Sequence, residues 1–101
     1  MTALVDDYKR LHDSLLLSVH VDWASARLCV EIESEEGVRH TLTAEHLIAV
    51  VIPHEEPWGP SDWINRTDGP TPDRGGYRLG IQMQSGDVIE IVAGTFELPT
   101  W

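Results

Sequence analysis

From Ser14 onward the chain alternates between two kinds of position. Leu15, Leu17, Val19, Val21 and Trp23 stand against Ser14, Leu16, Ser18, His20 and Asp22. A period of two is that of a β-strand, whose successive side chains point to opposite faces. The same pattern returns at Leu28, Val30 and Ile32 against Arg27, Cys29, Glu31 and Glu33, and at Val38 to Leu42. Ala24-Ser25 and Ser34-Glu35-Glu36-Gly37 between these runs are too short for a crossover. The first three strands are therefore expected to form an antiparallel meander. Thr43 to His46 reads as a turn, and Leu47 to Ile52 as a fourth, buried strand ended by Pro53. Trp63 to Thr67 predicts a short edge strand. Tyr77, Leu79, Ile81 and Met83 alternate with polar or small residues, and Ser85-Gly86 turns the chain into Asp87 to Ala93, with Phe96 and Leu98 extending the apolar face.

Before the strands, residues 2–12 predict one short helix, with Thr2 as N-cap and Leu4, Tyr8 and Leu11 along one side. Residues 53–62, rich in proline and acids, read as a loop. The run Asp68-Gly69-Pro70-Thr71-Pro72-Asp73-Arg74-Gly75-Gly76 reads as a flexible loop. The expected fold is mostly β: an antiparallel β-sandwich or barrel-like sheet pair of about seven short strands, with one short N-terminal helix. Residues 1–101 form a single domain on size grounds. The alternation places Leu15, Leu17, Val19, Val21, Leu28, Val30, Ile32, Leu79, Ile81 and Met83 in one core.

Charge narrows the range of partners. Asp and Glu number 17 against 7 Lys and Arg, a formal net charge of −10. The two halves share it evenly, so the acidity is not that of a tail. Such a surface repels phosphate backbones and anionic membranes, which argues against nucleic-acid and membrane partners and suits a basic protein. Cys29 is the only cysteine, so no internal disulfide forms and a reducing, cytoplasmic setting is expected. Met1 to Arg10 does not resemble a signal peptide, and no apolar run reaches the roughly 20 residues of a membrane helix.

Candidate chemistry is sparse. His12, His20, His40, His46 and His54 match no metal-binding spacing, so neither a metal nor another cofactor is expected. His20 and His40 fall on adjacent or near predicted strands, close enough to meet in space. His12-Asp13 invites a general-base reading, but neighbours on a strand point apart, which favours a structural junction. Cys29 lies among Glu31 and Glu33, and nearby carboxylates disfavour a thiolate. No phosphate-binding loop or nucleophile elbow occurs. The richest segment is His54-Glu55-Glu56-Pro57-Trp58-Gly59-Pro60-Ser61-Asp62-Trp63. Its prolines restrict the backbone around an aromatic residue flanked by acids. It is either a rigid recognition loop or a plug in which Trp58 and Trp63 close one end of the fold.

Four blocks carry a family resemblance: Leu11-His12-Asp13-Ser14-x-Leu16, Val21-Asp22-Trp23, Pro57-Trp58-Gly59-Pro60-Ser61 and Met83-Gln84-Ser85-Gly86-Asp87. Together, over residues 11–93, they resemble a family of small uncharacterised bacterial proteins that has no assigned activity. The His-Asp junction followed by strands is also similar to small β-rich immunity proteins of bacterial toxin systems. That likeness implies binding to and blocking of a toxin without chemistry, and acidity suits a basic nuclease toxin. Arg66, Arg74, Arg78 and residues 68–76 correspond to none of these blocks.

The sequence therefore reads as a non-enzymatic binding domain whose candidate contact residues are Glu55, Glu56, Trp58, Asp62 and Trp63. The alternative is a small-ligand-binding or hydrolytic enzyme using His12, Asp13, His54 and Glu55. A third reading is a homo-oligomer joined through exposed sheet edges.

Overall fold

The computed structural model describes residues 5–55 and 62–99. Six strands follow a 3-10 helix over Val5–Leu11. They are β1 (Leu15–Asp22), β2 (Arg27–Glu33), β3 (Arg39–Val51), β4 (Ile64–Asp73), β5 (Gly76–Met83) and β6 (Val88–Glu97). They make one antiparallel sheet in the order β1-β2-β3-β6-β5-β4. The chain thus forms two three-stranded meanders, β1-β2-β3 and β4-β5-β6, joined by the β3–β6 pair. The first of them is as the short connections require. Among the described residues there is one sheet of six strands where a pair of sheets with about seven was expected.

The outer strands of this sheet touch at one end. Leu15 bridges Trp63, and the Leu16 N–H donates to the Asp62 carbonyl at 2.6 Å. Just before β1, the Asp13 N–H donates to the Ile64 carbonyl and the Ile64 N–H to the Ser14 carbonyl. The core fills the concave side: Leu28, Val30, Ile32, Leu42, Ala44, Ile64, Leu79, Ile81, Met83, Ile89, Ile91 and Ala93 are buried. The period-two residues expected on β2 and β5 are all among them. The 3-10 helix adds Tyr8 and Leu11, three apart, the spacing at which a 3-10 helix aligns its side chains. The expected helix over 2–12 is thus a 3-10 segment, with Thr2 and Leu4 outside the described residues. No described helix is long and apolar enough to cross a membrane.

Four expectations are corrected. First, Leu15, Leu17, Val19 and Val21 do not share the core face. A bulge between Leu16 and Ser18 adds a residue, so Leu16 opposes Ile32 and Val19 opposes Val30. Leu16 and Val19 pack on the core while Val21 is exposed. Second, the third and fourth strands are one continuous β3. Thr43 to His46 stays in register with β2 and β6, and the chain absorbs its irregularity through His46 at φ 56° and a bulge between Leu47 and Ala49. Third, the Leu47 to Ile52 run is not buried throughout: Ile48, Val51 and Ile52 are exposed, because the bulge and the strand's outer face carry them away from the core. Fourth, residues 68–73 of the expected loop belong to β4, and only Arg74-Gly75 turn the chain into β5. Pro70 and Pro72 are compatible with a strand there because β4 is an edge, where a missing N–H breaks no ladder bond.

Candidate functional site

The loop singled out by the sequence leaves β3 at Val51 and returns at Trp63, and its ends are held by the turn between β5 and β6. That turn is Met83-Gln84-Ser85-Gly86-Asp87. Gly86 takes φ 101°, and the Gly86 N–H closes back onto the Met83 carbonyl at 3.0 Å. The Met83 N–H donates to the Asp87 carbonyl. Ser85 and Asp87 are both buried. The Ser85 hydroxyl donates to Asp87 Oδ2 at 3.0 Å, and Asp87 Oδ1 accepts the Glu55 N–H at 3.0 Å. On the returning side the Gln84 N–H donates to the Trp63 carbonyl at 2.9 Å. A buried carboxylate that accepts a backbone N–H and a hydroxyl is a strong, directional anchor. The loop base is thus fastened on both sides, to the β5–β6 turn and to the start of β1.

The candidate contact residues divide accordingly. Glu55 and Asp62 are exposed at the two ends of the loop, which places two acids at its base. Trp63 is 39% exposed. Glu56, Trp58 and the rest of 56–61 lie outside the described residues. His54 is exposed beside Glu55.

A concavity lies where the 3-10 helix passes the β2–β3 hairpin loop. It encloses about 470 Å³ and is lined by Arg10, His12 and Ser14 on one side and by Ser34, Glu35, Glu36, Val38 and His40 on the other. Of the residues proposed for an enzyme it takes only His12; Asp13, His54 and Glu55 are not in its lining. His12 and Asp13 do meet, contrary to the strand argument, because both sit in the turn before β1 and Asp13 adopts φ 64°. His12 Nδ1 lies 3.0 Å from the Asn65 carbonyl, to which it donates, and Nε2 lies 3.4 Å from Asp13 Oδ1. With Nδ1–H held on a carbonyl, a neutral ring leaves Nε2 as an acceptor facing a carboxylate that only accepts. Both side chains are about half exposed, and their contact is a local one within the turn.

His20 and His40 do not meet. His20 pairs with Cys29 on the convex face, whereas His40 opposes Ile32 on the other face and lines the concavity. Among the described residues no group of three or more His, Cys, Asp or Glu side chains is placed to hold a metal ion. Sequence reasoning missed two sets of residues. Ser85 reads as a turn residue and Asp87 as the start of the returning strand, and a Ser-Gly-Asp run gives no sign that its acid is buried. Arg10, Ser34 and His40 come from three separate elements and share no local pattern.

Fold and site together define, among the described residues, an all-β, six-stranded antiparallel domain in which the ends of the β3–β4 connection are held by a buried Ser-Asp pair and the turn that carries it. No protein-family model, no curated protein and no solved structure matches the chain.

Proposed function

We propose that the chain is a non-enzymatic binding domain for a basic protein, acting through the loop between β3 and β4 and the acidic surface beside it. The observation that carries this reading is the clamp. Asp87, Gln84 and Leu16 hold the backbone of Glu55, Trp63 and Asp62, so the loop is presented from a fixed base. A segment fixed in advance loses little entropy when it meets a partner. Its two described acids, Glu55 and Asp62, and the net charge of −10 favour a cationic surface and steer its approach. In this reading the curled sheet is a barrel-like scaffold, and a toxin-blocking, immunity-type role is the specific version that its acidity suits.

Trp58→Ala tests it. With the loop as the contact, the variant weakens partner binding by about 2 kcal/mol or more, the scale of an interface hot spot, and keeps its melting temperature. A loss of about 3–5 kcal/mol in stability would place Trp58 in the core and reject the recognition loop.

A further inference from the structure

Beyond the point where β1 and β4 touch, the described residues leave two sheet edges, and they are built differently. Along β4 the outer edge carries Pro70 and Pro72 and the ion pairs Arg66–Asp68 and Arg74–Asp73. Prolines and charges of this kind block the addition of another strand. Beyond Leu16, β1 reads Leu17-Ser18-Val19-His20-Val21-Asp22, with no proline, glycine, lysine or arginine. Every described hydrogen bond between the backbones of β1 and β4 is spent by Leu16, so among the described residues the rest of this edge faces no strand.

The peptide groups on that edge are identifiable. Leu16 packs its side chain on the core and directs its N–H away from β2, to Asp62. Along a strand, side-chain face and peptide-group direction alternate together. Val19 and Val21 share the core-side face with Leu16, as their pairing with Val30 and Leu28 shows. Their N–H and C=O groups therefore point to the open edge. Beside them Val21 is 38% and Trp23 90% exposed. On the convex face the same edge presents Ser18, His20 and Asp22. Ser18 is short and its hydroxyl donates to the exposed Glu31 at 3.4 Å; among the described residues neither Glu31 nor Asp22 has an ion-pair partner.

We propose that the edge of β1 from Leu17 to Asp22 accepts an extended segment of a basic partner protein as a seventh, antiparallel or parallel, strand. This rests on the protein-binding reading above and assigns it a second contact. Main-chain bonds to Val19 and Val21 supply the attachment, and alternate side chains supply the choice of partner. Apolar residues of the added strand lie along Val19, Val21 and Trp23. Lysines or arginines on its other face reach across Ser18 to Glu31 and along the edge to Asp22. A second copy of this chain is the poorer occupant, since it brings another ten negative charges and sets Asp22 and Glu31 against their own kind.

The probe is a synthetic peptide of alternating valine and lysine, capped at both ends. It is titrated into the full chain by calorimetry, and amide hydrogen exchange is read residue by residue. Binding is expected to slow exchange at Val19 and Val21 at least tenfold. It should fall at least tenfold when alternate peptide nitrogens are methylated, and when glutamate replaces lysine. Val21→Pro removes an outward N–H without breaking the sheet and should abolish binding. Glu31→Lys, an exposed change that leaves the edge intact, should weaken it about tenfold. Trp58→Ala should leave peptide binding unchanged, so failure of the loop reading and failure of this one are told apart. No binding, equal binding of the methylated peptide, or protection at a segment other than β1 would overturn the proposal. So would a dimer in sedimentation that Val21→Pro converts to monomer, which would give the edge to a second copy.

Discussion

β1 and β4 occupy equivalent places at the two ends of one sheet, yet they are held by different means. β4 has a fully buried anchor in Ile64, and the 3-10 helix packs Tyr8 and Leu11 into the same core. The remainder of β4 is polar, proline-bearing and ion-paired. β1 has no fully buried side chain at all: its residues run from half-buried at Leu15 to exposed at Asp22. What holds β1 is its ladder with β2, where Val19 and Val21 lie opposite the buried Val30 and Leu28. Both edges are laddered to a neighbour along their length, β4 to β5 and β1 to β2, but only β4 adds a fully buried side chain, and its prolines and ion pairs close its outer side. An edge strand that invests little in the core can exchange its surroundings without unfolding the domain, and this separates the two edges in function.

Three substitutions probe that contrast, in falling order of effect. Val30→Asp puts an unpaired charge at a position with no exposure, directly behind β1, and should cost about 3–5 kcal/mol. Because β2 supports β1, this variant should lose the whole fold in one transition; a folded Val30→Asp protein with an unchanged melting temperature would contradict the core described above. Ile64→Ala, at the anchor of β4, should cost about 2–5 kcal/mol through lost burial and the cavity left behind. Val21→Ala, on the open edge, should cost less than about 1 kcal/mol, since its side chain already meets water. Urea titrations of the last two decide the comparison: equal losses would mean that the edges are held alike.

Much of this architecture can be read from residues alone. The alternation in β2, β5 and β6 is regular, and Leu28, Val30, Ile32, Leu79, Ile81 and Met83 are buried as their spacing requires. Reading failed where the backbone departs from the pleat. A single extra residue near Leu17 shifts the phase of β1, so that Leu16, rather than Leu15 and Leu17, faces the core side together with Val19 and Val21, and alternation carries no mark of it. Thr43 to His46 looked like a turn because it is polar, but its side chains alternate between Ala44 on the core and Thr43 and Glu45 on the convex face, as a one-sided strand demands. Residues 68–73 looked like a loop because proline and glycine usually mark one; on an edge they are compatible with a strand. The loop of Glu55, Asp62 and Trp63 was visible as a candidate contact, whereas its clamp was not. Ser85 and Asp87 act through burial, which depends on residues thirty positions away in the chain.

The length of β3 has a consequence for how the molecule assembles. Its first half pairs with β2, its close neighbour in sequence, and its second half pairs with β6, which is synthesised far later. The two meanders close over short loops at small entropic cost, whereas zipping β3 onto β6 must first bring distant stretches of chain together. The seam is therefore expected to be the slow event, with the hairpins on either side forming ahead of it. Variants that weaken the β3–β6 pairing, such as Val50→Ala, should slow refolding in stopped-flow experiments, while Val21→Ala on the outermost hairpin should act mainly on the unfolding rate. The reverse partition would mean that the halves do not form first. Until the seam closes, β3 displays the strand edge meant for β6, and that interval, rather than the finished domain, is when this acidic chain is most exposed to mispairing.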